Sequence, residues 1–146
     1  MTNTHPLHLA FVCWGNTCRS PFAEHFAKQH YGNERYHFSS LGLRAEQGRK
    51  ASNNGIIAAQ SWQIDLSAHT AQPIANNDEV ALIDYWVCMT NEIRQVLINE
   101  YGISPQKTIL LDEQGVADPF GGTLLVYEQC YQIIAQAIKK LPILQP

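Results

Sequence analysis

The chain has 146 residues, 45% of them hydrophobic, and a formal net charge of −3. That length predicts one domain, 1–146, with a core large enough to stand without disulfide staples. The charge argues against nucleic acid as a partner, and no apolar run nears the roughly 18 residues of a membrane span.

Met1 to Pro6 is short and polar and reads as no signal peptide. Leu7 to Val12 follows as a buried strand. Cys13-Trp14-Gly15-Asn16-Thr17-Cys18-Arg19-Ser20-Pro21 then reads as a tight loop running into a helix N-terminus, with Pro21 suited to the first turn. Phe22 to Tyr31 carries Phe22, Ala23, Phe26 and Ala27 as a helical stripe, and Gly32 stops it. Tyr36 to Ser40 is a second strand, Glu46 to Lys50 a polar loop, and Ala51 to Trp62 a helix that contains Gly55. Asp84 to Met89 is a third strand, Asn91 to Tyr101 a helix ending near Gly102, and Lys107 to Leu111 a fourth strand. Thr123 to Leu141 is the clearest helix, with Leu124, Tyr127, Tyr131, Ile134 and Ile138 at helical spacing and Pro142 as its stop. Strands alternating with helices predict a three-layer α/β fold: a four-stranded parallel sheet with helices on both faces. The Cys13 loop, after the first strand, falls at the carboxyl edge of that sheet, where such folds bind ligands.

The loop carries the chemistry. Backbone N–H groups of Trp14, Gly15, Asn16, Thr17, Cys18 and Arg19 converge there, and the helix dipole adds positive potential, so the loop should cradle a phosphate. The Arg19 guanidinium suits two of its oxygens. A free thiol has a reference pKa of about 8.5, and such surroundings favour the thiolate that nucleophilic attack requires. Ser20 is placed to donate a hydrogen bond to the Cys13 sulfur. Gly15 allows close approach of the backbone, and Asn16 tolerates a left-handed conformation while its side chain ties the loop together. Asp118, stiffened by Pro119 and followed by Gly121 and Gly122, is the carboxyl group best placed to protonate a leaving group and then to activate water. Alone, Asp-Pro is ordinary turn chemistry; beside the Cys13 loop it reads as a general acid.

The run Cys-x-Gly-Asn-x-Cys-Arg-Ser-Pro, Cys13 to Pro21 here, resembles the low-molecular-weight protein tyrosine phosphatase family, as does the late Asp118-Pro119-Phe120. The resemblance extends over nearly the whole chain. It implies Cys13 as nucleophile, Arg19 as phosphate clamp, Asp118 as general acid, and Asn16, Ser20 and Ser40 as the hydrogen-bond network behind the loop. It implies hydrolysis of protein phosphotyrosine through a phosphocysteine, without metal or cofactor, in the cytoplasm, with inhibition by phosphate or vanadate. It also supports a reversible Cys13–Cys18 disulfide; the alternative is that Cys18 merely fits the loop interior. The cysteines Cys13, Cys18, Cys88 and Cys130 lack the spacing of a secreted disulfide framework.

Three departures concern the substrate. Thr17 stands where typical tyrosine-specific members have a bulky aliphatic residue. Phe120 is followed by Gly121 rather than a second aromatic. Arg44-Ala45-Glu46-Gln47 replaces a loop that commonly carries an aromatic. The pocket walls are then Trp14, Thr17 and Phe120. Thr17, the pair Met89-Thr90, and the Asp118 segment with Tyr127 resemble the protein-arginine phosphatase branch, which is the alternative reading. His69 precedes a segment where Thr70 and Gln72 replace the family's usual arginine, and it reads as a structural histidine. Tyr127 and Tyr131 read as packing residues. An arsenate reductase would need two further cysteines close in sequence, and Cys88 and Cys130 are far apart. A non-catalytic phosphate-binding module would have no use for both Cys13 and Asp118. No His, Cys or Asp cluster shows metal-ligand spacing.

Overall fold

The computed structural model describes residues 5–76 and 78–145. Strand β1 (Leu7–Cys13) is buried from His8 onward, as the apolar run Leu9 to Val12 requires of a parallel strand covered on both faces. It pairs on one side with β2 (Tyr36–Gly42) and on the other with β3 (Tyr85–Cys88), which pairs in turn with β4 (Thr108–Leu110). All pairs are parallel and the order is β2-β1-β3-β4.

Helix α1 (Arg19–Tyr31) links β1 to β2, α2 (Asn53–Gln60) lies between β2 and β3, and α3 (Asn91–Tyr101) links β3 to β4. Helix α4 (Leu124–Lys139) closes the chain order and packs against both α1 and α2. The β1–α1–β2 and β3–α3–β4 connections run in opposite directions across the sheet. Right-handed crossovers therefore place α1 and α3 on opposite faces, and the expected three layers follow. The aromatic core on the α1 side is stacked: Phe22 lies parallel to Tyr131 at 4.1 Å between ring centroids, and Trp62 meets Phe22 and Phe26 edge-on.

Several boundaries differ from the sequence expectation. Helix α1 starts three residues before Phe22, because the loop turns directly into the helix and buries the polar Arg19 and Ser20 in its first turn. Strand β2 runs two residues past Ser40, to Gly42, which pairs with Cys13. Helix α2 is shorter than Ala51 to Trp62: Ser52 and Ser61 flank it, and Gln63 takes a left-handed φ of 60°. Gly55 within it is required, since a Cβ there would sit 2.7 Å from the Tyr131 hydroxyl and 2.8 Å from Ser52 Oγ. Helix α3 has the expected bounds. Thr90 caps it by accepting from the Ile93 N–H, and Gly102 ends it at φ 67°. Short 3₁₀ turns at Ile74–Asn76, Asp78–Leu82, Pro105–Lys107 and Pro142–Leu144 are too brief to show a hydrophobic period. Among the described residues no helix is long and apolar enough to cross a membrane.

Candidate active site

The segment from Cys13 to Arg19 joins β1 to α1, and its carbonyls are held from outside. Leu43 N–H donates to Cys13 O at 3.0 Å, Arg44 N–H to Trp14 O at 2.8 Å, and Ser52 N–H to Thr17 O at 3.1 Å. His69 Nε2 donates to Asn16 O at 2.8 Å, and the Tyr131 hydroxyl donates to Cys18 O at 3.0 Å. In a planar trans peptide the C=O and the following N–H point in opposite directions. Carbonyls pulled outward therefore turn the N–H groups of Trp14, Gly15, Thr17, Cys18 and Arg19 inward. Among the described residues no side chain caps α1 at Cys18, so its first N–H groups stay open toward the same point. The result is a concave anion cradle.

Cys13 Sγ lies in this bowl and receives the Asn16 N–H at 3.2 Å. Behind it runs a fixed chain of donors. Asn16 Nδ2, which can only donate, gives one proton to Ser20 Oγ at 2.7 Å and the other to Ser40 Oγ at 2.9 Å. Ser20 is then free to donate to Cys13 Sγ at 2.9 Å, and Ser40 donates to Glu24 Oε1 at 2.6 Å. Asn16 Oδ1 accepts from Gln72 N–H at 2.9 Å, and Asn16 adopts the left-handed φ of 55° that its residue type tolerates. Gly42 is the close approach the loop needs: a Cβ there would lie 2.7 Å from Trp14 O and 3.0 Å from Asn16 N. Gly15, in contrast, has room on its Cβ side, with only Thr17 Oγ1 at 3.7 Å.

Arg19 is 2% exposed. Its Nη1 donates to Val116 O at 2.7 Å, and Nη2 lies 3.7 Å from Asp118 Oδ2. Its Nε is buried with no hydrogen-bond partner among the described residues. An unmet buried donor on a cation is costly unless a ligand completes it. Asp118 is about half exposed, and its Oδ1 accepts the Phe120 N–H at 3.0 Å, an Asx turn continued by Gly121 at φ 80°. That turn leaves Oδ2 facing Arg19.

A cleft of about 220 Å³ opens above the sulfur, lined by the loop together with Asp118, Phe120, Arg44, Glu46 and Arg49. Each aromatic at its mouth carries an arginine: Arg44 lies over Trp14 at 5.7 Å, and Arg49 over the exposed Phe120 at 5.5 Å. Thr17 is buried, with Oγ1 3.6 Å from Cys18 Sγ. The structure thus brings Cys13, Trp14, Thr17, Arg19, Asp118 and Phe120 to one cleft, with Ser20 and Ser40 behind it.

Sequence reasoning gave His69 and Tyr131 no place in the loop, yet both hold its carbonyls. Tyr127 also touches it, with its hydroxyl 3.4 Å from Cys18 Sγ. Burial pushes the Tyr127 phenol up to about 12. The signal available was chemical: a buried tyrosine hydroxyl needs a partner. Arg44 and Arg49 were also missed as wall residues. Burial pushes both Cys88 and Cys130 up to about 12, so both are held as thiols away from the cleft.

Residues 8–143 match the sequence model of the low molecular weight phosphotyrosine protein phosphatases. A protein-arginine-phosphatase of Bacillus subtilis is 29% identical over 143 residues, covering 92% of this chain and 94% of that protein. A low molecular weight protein-tyrosine-phosphatase, PtpB, of Staphylococcus epidermidis is 31% identical over 139 residues, covering 92% and 96%. Among solved structures, the low molecular weight protein tyrosine phosphatase of T. tengcongensis superposes with a TM-score of 0.82 at 27% identity, covering 92% of this chain and 96% of that one.

Proposed function

We propose that this chain, which belongs to the low molecular weight phosphotyrosine protein phosphatase family, hydrolyses phosphotyrosine in proteins through a phosphocysteine intermediate. One observation supports this above the others: Cys13 Sγ and the buried, incompletely bonded Arg19 guanidinium share one amide-lined bowl. A phosphoryl dianion fits there with its oxygens on the inward N–H groups and on Arg19 Nε and Nη2. Cys13 Sγ attacks phosphorus in line, and the sulfur–phosphorus bond forms as the phosphorus–oxygen bond to the tyrosine breaks. Asp118 Oδ2, at the mouth, gives the departing oxygen its proton. The resulting carboxylate then takes a proton from water, which displaces Cys13 and releases inorganic phosphate. Inward dipoles that are already oriented cost no reorganisation as charge builds on the equatorial oxygens.

Other features belong to the same proposal. The chain works as one domain, 1–146, on phosphorylated proteins rather than nucleic acids, in the cytoplasm. Phosphate and vanadate compete for the bowl. With peroxide as oxidant, Cys13 becomes a sulfenic acid and Cys18 Sγ displaces water from it to close a reversible bridge, leaving Ser52 Oγ and Tyr127 Oη, each 3.4 Å from the Cys18 sulfur.

Phosphoarginine is the second reading, favoured by the buried Thr17 hydroxyl in the loop and by the Bacillus subtilis relative. Against it stand Arg44 and Arg49 on the aromatic walls, two guanidiniums at the mouth that Glu46 in the same lining and Glu100, 3.5 Å from Arg44, offset only in part. The deciding experiment compares kcat/KM on phosphotyrosine and phosphoarginine peptides of one sequence. A preference for tyrosine of tenfold, about 1.4 kcal/mol, upholds the first reading; a preference for arginine of that size replaces it.

A further inference from the structure

We propose that Glu24, His25 and His69 form a binding site for a divalent ion of the zinc class, coupled to the Cys13 loop through Asn16. Among the described residues this is the one group whose potential ligand atoms lie within 4.8 Å of one another. Two imidazoles and a carboxylate are an ordinary zinc donor set, with a fourth position left for water. Tetrahedral ligands at zinc distances stand about 3.3 Å apart, so the three groups need to close by about 1.5 Å at most.

The hydrogen bonds around the cluster favour this use. His69 Nε2 lies 2.8 Å from Asn16 O, and a carbonyl oxygen only accepts, so Nε2 carries the proton. Binding an ion requires the neutral ring, and with Nε2 protonated its lone pair is then on Nδ1. A backbone carbonyl on the distal N–H is the support that metal-bound histidines usually have. Glu24 divides its oxygens: Oε1 accepts the Ser40 hydroxyl at 2.6 Å, and Oε2 faces Lys28 at 2.6 Å. Lys28 is 46% exposed and only an i,i+4 partner, so an ion displaces it from Oε2 at little cost while Ser40 keeps Oε1. His25 follows Glu24 on α1 and is otherwise unused by the loop.

Occupancy would reach the sulfur by two routes. His69 holds Asn16 O, and Glu24 holds Ser40, which accepts from Asn16 Nδ2. Asn16 in turn donates to Cys13 Sγ and to Ser20. An ion that fixes His69 and Glu24 fixes two of the supports of Asn16, the one on its carbonyl and the one through Ser40. By linkage, an anion in the bowl must then alter zinc affinity by the same factor as zinc alters anion affinity.

The test uses the full, untagged chain with Cys13→Ser, which removes the thiolate as a competing zinc ligand. Calorimetric titration with zinc should show one saturable ion per chain. His25→Ala in that background should weaken it by about tenfold or more, and Lys28→Ala, which frees Glu24 Oε2, should tighten it. Zinc should shift the Kd for inorganic phosphate in the His25-containing protein and not in His25→Ala. His25→Ala alone should retain zinc-free turnover of p-nitrophenyl phosphate. No saturable binding overturns the proposal, as does binding indifferent to His25 or lost with His37→Ala at the far end of the sheet. A phosphate Kd unmoved by bound zinc removes the coupling. Should His25→Ala fail to fold, Lys28→Ala decides alone: unchanged or weaker binding refutes the site.

Discussion

Replacing Asn16 by alanine removes the centre of the loop's support. Asn16 is fully buried, and its side chain makes three hydrogen bonds: two donated to Ser20 and Ser40, one accepted from Gln72. At about 1 kcal/mol net each, their loss costs about 3 kcal/mol, and more because buried partners are left unmet. Alanine at φ 55° adds about 1 kcal/mol of backbone strain. We predict a total of about 4 kcal/mol, a large share of the 5–15 kcal/mol typical of a domain. Asn16→Gly loses the same bonds without the strain, so it should be more stable than Asn16→Ala by about 1 kcal/mol. Urea unfolding followed by circular dichroism reads both. A loss under about 1 kcal/mol in the alanine variant, or a glycine variant less stable than alanine, refutes the reasoning.

Asp118→Asn should lower kcat/KM, which reads cleavage of the phosphorus–oxygen bond, by about 10²–10⁴-fold on poor leaving groups and far less on p-nitrophenyl phosphate; equal losses on both would remove Asp118 as the acid. Burial, and then His37 beside it, hold His8 below the usual histidine range, with Glu79 and Asp84 opposing. A lowered folded pKa means the unfolded chain binds the proton better. This contribution is therefore whole above about 6.5 and is lost as pH falls through the window below it. His8→Gln, which can keep the bond to Ser39 Oγ, should flatten the decline in stability between pH 7 and 5; an unchanged slope would exclude His8 as its source.

Much of the architecture was written in local pattern. Leu9 to Val12 is apolar without a break because both faces of β1 are covered, and Thr90 and Gly102 mark both ends of α3. The loop between β1 and α1 was legible because Asn16, Ser20 and Pro21 each fit a local need. What holds that loop was not legible. Leu43, Ser52, His69, Gln72 and Val116 reach it through backbone groups or across the fold, and no spacing along the chain encodes such contacts. Glu24, His25 and His69 stayed hidden for the same reason, since His69 joins the pair on α1 only in three dimensions. The arginines over Trp14 and Phe120 sit in an ordinary-looking polar loop, and only the folded chain shows them as pocket walls.

The most direct measurement is to trap the intermediate. Asp118→Asn protein, acid-quenched during turnover of p-nitrophenyl phosphate, whose leaving group departs without the acid while attack by water stays slow, and then digested, should carry one phosphoryl group on the peptide containing Cys13, bound through sulfur. A phosphoryl group on any other side chain, or turnover with no adduct in this slowed variant, would contradict the account.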